Sequence, residues 1–163
     1  MKIRTLLFLA VLLFACNFAA QAQEYNSAIG LRLGYPASVS YKTFLSEKGA
    51  VEAFAGFRGF SGYSWVNLGA MYQVHNPISE LDGLSWYYGG GASVFFWNFR
   101  STFVGDAGTN TSFGILGVLG LDYKFKDAPI NASLDWVPTF FVNGFGSGFG
   151  GGYGALSVRY VLK

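Results

Sequence analysis

The chain has 163 residues, of which 52% are hydrophobic, 19% are aromatic and only 12% are charged, with a formal net charge of +2. A soluble domain usually carries about 25% charged residues, so this composition is typical of a protein in contact with lipid. The small net charge and the lack of a basic cluster in the sequence argue against a nucleic-acid partner.

Residues 1–22 have the pattern of a cleaved signal peptide. Two basic residues precede an apolar run at 6–15, and the small-x-small sequence at 20–22 is typical of signal peptidase sites. The apolar run has about half the length of a membrane helix, which argues against a retained anchor. Lipoprotein processing at Cys16, the only cysteine, fits its flanking residues less well. We therefore predict cleavage before Gln23.

Residues 23–163 are predicted to form one domain of eight β-strands. No stretch there holds the roughly 20 consecutive apolar residues of a membrane helix. Apolar and polar residues alternate instead with a period near two, and turn residues such as Asn76-Pro77 and Asp127-Ala128-Pro129 separate the segments. In chain order, the predicted strands are 24–35, 37–46, 50–60, 63–75, 83–97, 113–126, 129–141 and 150–162.

Each predicted strand is long enough to cross a bilayer at a tilt. Only helices and closed barrels satisfy their backbone polar groups in lipid, and the sequence offers no membrane helix after residue 22. An even number of strands puts both termini on the periplasmic side and the longest connection, 98–112, outside. We therefore predict an all-β fold, an eight-stranded antiparallel up-and-down transmembrane β-barrel in the cell outer membrane.

The alternation gives each strand one apolar and one polar face. Leu119 and Leu121, for example, lie opposite Gly120 and Asp122. A soluble lipocalin-like barrel would turn its apolar face inward. Two features favour the membrane barrel: the polar face is mostly Gly, Ser and Asn, and aromatic residues near strand ends are typical of interfacial girdles. These aromatic residues are Tyr35, Trp65, Trp86, Phe96, Tyr123, Phe125 and Tyr160.

Several segments resemble strands of small bacterial outer-membrane proteins, the OmpA/OmpX-like family of eight-stranded barrels. They are residues 30–34 (Gly-Leu-Arg-Leu-Gly), 41–45, 86–92, 120–125, 129–136 and 154–160. The resemblance implies a Gram-negative bacterium, insertion by the outer-membrane assembly machinery, contact with outer-membrane lipid and no defined activity. The chain departs from the family at Lys163, where members usually end on an aromatic residue.

The polar face also carries ionisable residues, which form the candidate site. An eight-stranded barrel is just wide enough for side chains to fill its interior, and charges buried there must pair. We predict an internal ionic network that plugs the barrel, with an ion or proton path as the alternative. Its expected members are Arg32, Lys42, Glu52, Arg58, Asp122, Lys124, Asp135 and Arg159. Four of these are expected to form one cluster: Asp122, Asp135, Lys124 and Arg159.

No catalytic, cofactor or metal site is predicted, and we expect no enzymatic activity. The only histidine, His75, is expected to face water at the periplasmic rim, and a lone histidine cannot form a His-rich metal site. Residues 146–151 match a dinucleotide-binding glycine pattern, but that motif needs a following helix, so we predict an extracellular loop. The predicted role is structural or surface-exposed. A narrow pore or a small-molecule or lipid-binding barrel is the alternative, and no ligand is predicted.

Overall fold

The computed structural model describes residues 25–35, 37–59, 62–99, 108–143, 148–150 and 152–162. The predicted signal peptide (1–22), Lys163 and most of the predicted connection at 98–112 lie outside these residues. The strands are β1 (Ser27–Tyr35), β2 (Ala37–Phe44), β3 (Gly49–Gly59), β4 (Tyr63–Pro77), β5 (Leu84–Phe99), β6 (Gly108–Lys124), β7 (Ile130–Trp136), β8 (Thr139–Phe141), β9 (Gly148–Gly150) and β10 (Gly154–Leu162).

The strands close into an antiparallel barrel. Consecutive strands pair from β1 to β7, β7 pairs with β10, and β10 pairs with β1, which leaves no gap in the ring. The shorter β8 pairs with β6 above β7, and β9 pairs with β8. The ten strands therefore make eight walls, and the predicted eight-stranded antiparallel barrel is confirmed.

One wall is divided into β7 and β8 because of Pro138. Proline has no N–H group to donate to a neighbouring strand, so the ladder is interrupted there. The carbonyl of Pro138 still accepts a hydrogen bond from the N–H of Gly117 at 2.8 Å, and the N–H of Val137 donates to the carbonyl of Tyr153 at 2.8 Å. These bonds join both halves of the wall to its neighbours.

The strand bounds differ most from the prediction at the upper end, which we define as the end that holds the β3–β4 and β5–β6 connections. β5 continues to Phe99 and β6 begins at Gly108, where Phe99 pairs with Gly108. The predicted connection at 98–112 is therefore shorter than expected. Residues 148–150 form β9, whereas we expected 146–151 to be a loop. Both segments are rich in polar residues or glycine and lack the alternation of apolar and polar residues from which strands were predicted.

Exposed apolar side chains cover the outer face of every wall, while the buried charged side chains face the interior. Leu121 is 46% exposed and Val158 is 47% exposed, whereas the neighbouring Asp122 and Arg159 are buried. Trp65 was expected on the outer face, but it is 1% exposed and lies inside, because the alternation in β4 runs through buried Trp65 and Asn67. The expected girdle residues that the structure finds exposed are Trp86, Phe96, Phe125 and Tyr160.

Glycines let the strands of this narrow barrel approach each other. A Cβ atom at Gly89 would clash with the carbonyl oxygen of Tyr72, and one at Gly91 would clash with that of Ala70. Glycine inside a strand often marks such a close backbone approach. The Gly89-Gly90-Gly91 run therefore allows tight contact between β5 and β4.

The interior has two layers. At the upper end, Trp65, Phe95, Trp97, Phe99 and Phe141 pack as an aromatic cluster. Below it, toward the lower end where Tyr25 and the β2–β3, β4–β5 and β6–β7 turns lie, the interior holds the buried charged side chains, together with a second apolar cluster of Met71, Tyr87, Leu116, Val118 and Val137. Among the described residues, no helix is both long and apolar enough to cross a membrane.

Candidate functional site

Six charged side chains from six strands meet inside the barrel. Each strand places its charge on the inward face through the two-residue alternation, and all six side chains are buried. The cations are Arg32 (β1), Lys42 (β2) and Arg159 (β10), and the anions are Glu52 (β3), Asp122 (β6) and Asp135 (β7). We call these six residues the interior network. Its three cations balance its three anions.

Glu52 lies at the centre of the interior network. Its Oε1 atom accepts hydrogen bonds from Arg32 Nη1 at 3.0 Å and from Arg159 Nη2 at 2.5 Å. Its Oε2 atom accepts from Gln73 Nε2 at 2.8 Å. One carboxylate thus links β1, β4 and β10 across the interior. Charge-assisted hydrogen bonds of this kind are stronger than neutral ones.

Arg32 extends the network toward β7. Its Nη2 atom donates to Asp135 Oδ1 at 2.8 Å, while its Nη1 atom is held by Glu52. The second oxygen of Asp135 accepts a hydrogen bond from the hydroxyl of Tyr87 at 2.8 Å. The guanidinium of Arg32 therefore bridges two carboxylates, a geometry for which its fixed fork of donors is suited.

Asp122 and Lys42 form a second centre nearer the lower end. Lys42 Nζ donates to Asp122 Oδ1 at 2.8 Å and lies 4.7 Å from the centre of the Tyr87 ring. Asp122 Oδ2 accepts from Asn131 Nδ2 at 2.7 Å and from the hydroxyl of Tyr25 at 3.2 Å. The buried ammonium is thus stabilised both by a carboxylate and by an aromatic face.

Polar side chains complete the shell of Arg159. Its Nε atom donates to Ser40 Oγ at 3.1 Å, and its Nη1 atom donates to Ser133 Oγ at 2.8 Å and to Asn131 Oδ1 at 3.2 Å. A buried charge is tolerated when it is paired and hydrogen-bonded in this way. The short polar residues on the inward face are therefore the partners that the network requires.

Two of the predicted members lie elsewhere. Lys124 donates to the carbonyl oxygens of Phe125 and, at 2.9 Å, of Ala128 in the β6–β7 turn. Arg58 is half-buried near the end of β3 and pairs in register with Trp65, at the level of the aromatic cluster. Lys124 does not join the interior network because it lies at the end of β6, where its ammonium binds carbonyl oxygens of the β6–β7 turn.

The expected four-residue cluster is divided among different partners. Asp122 pairs with Lys42, Asp135 pairs with Arg32, and Arg159 pairs with Glu52. The reason is the register between strands: Arg159 lies opposite Asn131, while Asp135 lies opposite Ala155. The backbone positions of Asp135 and Arg159 are therefore offset by four residues, or ~13 Å along the strand direction.

Four polar side chains that donate hydrogen bonds to the interior network were not predicted from the sequence, namely Tyr25, Gln73, Tyr87 and Asn131. His75 was expected to face water, but it is 4% exposed. Its Nε2 atom lies 3.2 Å from Gln73 Oε1 and its Nδ1 atom 3.3 Å from Ser85 Oγ. His75 lies two residues after Gln73, so the alternation of β4 alone predicts that both side chains lie on the inward face.

A small cavity separates the interior network from the aromatic cluster. Its volume is about 20 Å³, enough for a single water molecule, and Asn67 and Ser93 line it. Within the described part of the chain, Asn67 Oδ1 and Ser93 Oγ have no hydrogen-bond partner.

Comparison with known proteins finds no family model, no curated protein and no solved structure that matches the chain. In the described ranges, no group of three His, Cys, Asp or Glu side chains is arranged to hold a metal ion. Function is therefore inferred from the fold and the interior network.

Proposed function

We propose that the chain is an integral outer-membrane protein whose sealed β-barrel anchors its surface loops and has a structural or surface-exposed role. The observation that carries this proposal is the belt of exposed apolar side chains. Every wall contributes to it: Leu31, Val39, Phe57, Leu68, Tyr88, Leu119, Leu134 and Val158 are all exposed.

Soluble monomers rarely expose contiguous apolar patches of more than a few hundred Å², whereas this belt runs around all eight walls. A polar interior beneath an apolar outer face is the arrangement of transmembrane barrels. The signal-peptide pattern of residues 1–22 supports export to the envelope. Together these features favour the membrane barrel over a soluble one.

Cell fractionation tests the location. The protein should be recovered with outer membranes and should migrate faster on gels before boiling than after it, because a folded barrel is compact. Recovery as a soluble periplasmic monomer without detergent would contradict the proposal. A variant with residues 20–22 changed to Glu serves as the export control and should accumulate unprocessed.

A narrow pore is the alternative role, and the interior network argues against it. Glu52, Arg32 and Asp135 connect opposite walls by hydrogen bonds of 3.0 Å or less. The aromatic cluster fills the interior above them. We therefore propose a barrel without a steady conductance.

A further inference from the structure

A larger cavity opens at the lower end of the barrel. Its volume is about 200 Å³, and it lies between the ends of β2, β4 and β6, the start of β5 and the β4–β5 turn. A protein cavity of ~150 Å³ accommodates benzene, so this space suits a ligand of roughly 6–10 non-hydrogen atoms. We call it the lower vestibule.

One side of the lower vestibule is apolar and firmly held. Ile78, Leu81 and Leu84 line it, together with the ring of Phe44. The Phe44 ring packs edge-on against Tyr25 at 5.1 Å and lies 4.9 Å from the ring of His75. Because these rings support one another, the wall is preorganised for a short apolar group.

Two of the charged residues that line the vestibule are neutralised by other side chains. Asp122 is paired with Lys42 at 2.8 Å, and Asp82 is paired with Lys126 at 2.6 Å. Each of these carboxylates therefore presents little net charge to a ligand.

The other two charged residues of the lining, Glu47 and Lys124, are not neutralised. Within the part of the chain that the structure describes, neither has an ion-pair partner. Lys124 is held in place by the carbonyls of Phe125 and Ala128, which orient its ammonium without cancelling the charge. The lower vestibule thus presents one anion, one cation and an apolar wall.

We propose that the lower vestibule binds a small zwitterion with a short apolar group. Its ammonium would meet Glu47, its anionic group would meet Lys124, and its apolar part would lie against Leu81 and its neighbours. A ligand with a single charge would leave one of the two protein charges without a partner. This site goes beyond the structural role of the barrel, which requires no ligand.

The same pair of opposite charges on a short carbon skeleton occurs in free aliphatic amino acids and in the phosphoethanolamine headgroup of lipids, in which the ethylene linker is the apolar part. Calorimetric titration of the protein in non-ionic detergent distinguishes the two sources, with leucine and O-phosphoethanolamine as the probes. Tighter binding of leucine would identify an amino-acid site, and tighter binding of phosphoethanolamine would identify a headgroup site. Binding of neither compound would overturn the proposal.

Two analogues of leucine test the need for both charges. Isopentylamine lacks the carboxylate, and 4-methylpentanoate lacks the ammonium. Each should bind about tenfold more weakly than leucine, the effect of losing one charge-assisted contact. If phosphoethanolamine is the preferred probe, ethanolamine replaces isopentylamine as the analogue without the anionic group, and glycerol phosphate replaces 4-methylpentanoate as the analogue without the ammonium. Equal affinity of a singly charged analogue would contradict the zwitterion assignment.

Protein variants locate the site. Glu47→Gln and Lys124→Gln should each weaken binding of the preferred probe about tenfold. Glu80→Gln and Lys48→Gln change nearby charges that do not line the vestibule and should leave the affinity unchanged. Glu47 is exposed, so its variant keeps the fold, which gel mobility before boiling verifies. Unchanged affinity in Glu47→Gln would overturn the proposal.

Discussion

At the scale of single residues, Glu52 is the carboxylate that two buried guanidinium groups share. It accepts hydrogen bonds from Arg32, Arg159 and Gln73 and is fully buried. Replacing two buried ions by apolar groups can be neutral, whereas removing only one leaves a charge without compensation. The interior network therefore stabilises the barrel only as a complete set.

Glu52→Gln should lower the free energy of unfolding by about 3–5 kcal/mol, because both guanidinium groups lose their shared carboxylate. Arg159→Gln should cost a similar amount. The double variant should cost less than the sum of the two, with a coupling of about 0.5–3 kcal/mol. Urea unfolding in liposomes, followed by tryptophan fluorescence, measures all three values.

Asp135→Asn with Arg159→Gln provides the control cycle. The two side chains make no direct contact and are linked only through Arg32 and Glu52, so their coupling should be smaller than that of the directly bonded Glu52 and Arg159. A coupling as large as that of Glu52 with Arg159 would mean that the assigned pairs are wrong.

At the scale of strands, the alternation of faces determines where a charge is tolerated. Val158→Arg, in the middle of β10, should destabilise the barrel by about 2–4 kcal/mol, and Leu121→Arg on β6 should destabilise it less, because Leu121 lies in register with the girdle residue Trp86. Leu45→Arg lies in the β2–β3 turn and should have little effect, although Leu45 is also exposed. Folding into liposomes measures the three variants, and equal tolerance of all three would contradict the assignment of faces.

The lower turns are linked by an exposed ion pair. Lys126 Nζ donates to Asp82 Oδ2 at 2.6 Å, and this hydrogen bond lowers the pKa of the Asp82 carboxyl. A depressed carboxyl pKa stabilises the fold at neutral pH, and this contribution is lost as the pH falls through the folded-state pKa. Since the pair is exposed, its contribution to stability is small.

Lys126→Gln should raise the pKa of Asp82 toward its ordinary value. NMR titration of the Asp82 carboxyl carbon in detergent micelles measures this shift. Lys48→Gln, which changes a lysine in another lower turn, is the control and should leave the titration unchanged. An unshifted Asp82 pKa in Lys126→Gln would show that the pair does not form in solution.

At the scale of the whole molecule, the two-residue alternation was enough to predict the closed barrel and its eight walls. The same alternation places Arg32, Glu52 and Arg159 on the inward face. It does not reveal which of them meet, because contacts across the interior depend on the stagger between strands. Arg159 bonds to Glu52, which is 107 residues away in the chain.

The positions of side chains at strand ends were also predicted wrongly. Lys124 turns to carbonyls of the β6–β7 turn, and His75 is covered by neighbouring side chains at the lower end. The lower vestibule is formed by turn residues such as Leu81, whose position depends on how several turns fold together. Local sequence patterns carry no information about such packing.

The membrane orientation of the barrel is the central claim, and adjacent pairs of cysteine variants test it directly. Leu134→Cys and Val158→Cys lie on the outer face, while Ser133→Cys and Ser157→Cys lie one residue away on the inner face. Cys16, the only native cysteine, falls in the predicted signal peptide. Each variant is folded into liposomes that contain brominated lipid and is then treated with a bimane reagent. The outer cysteines should react and their labels should be quenched, while the buried inner cysteines should not react. Labelling of the inner cysteines to the same extent, or no quenching at the outer positions, would contradict the account.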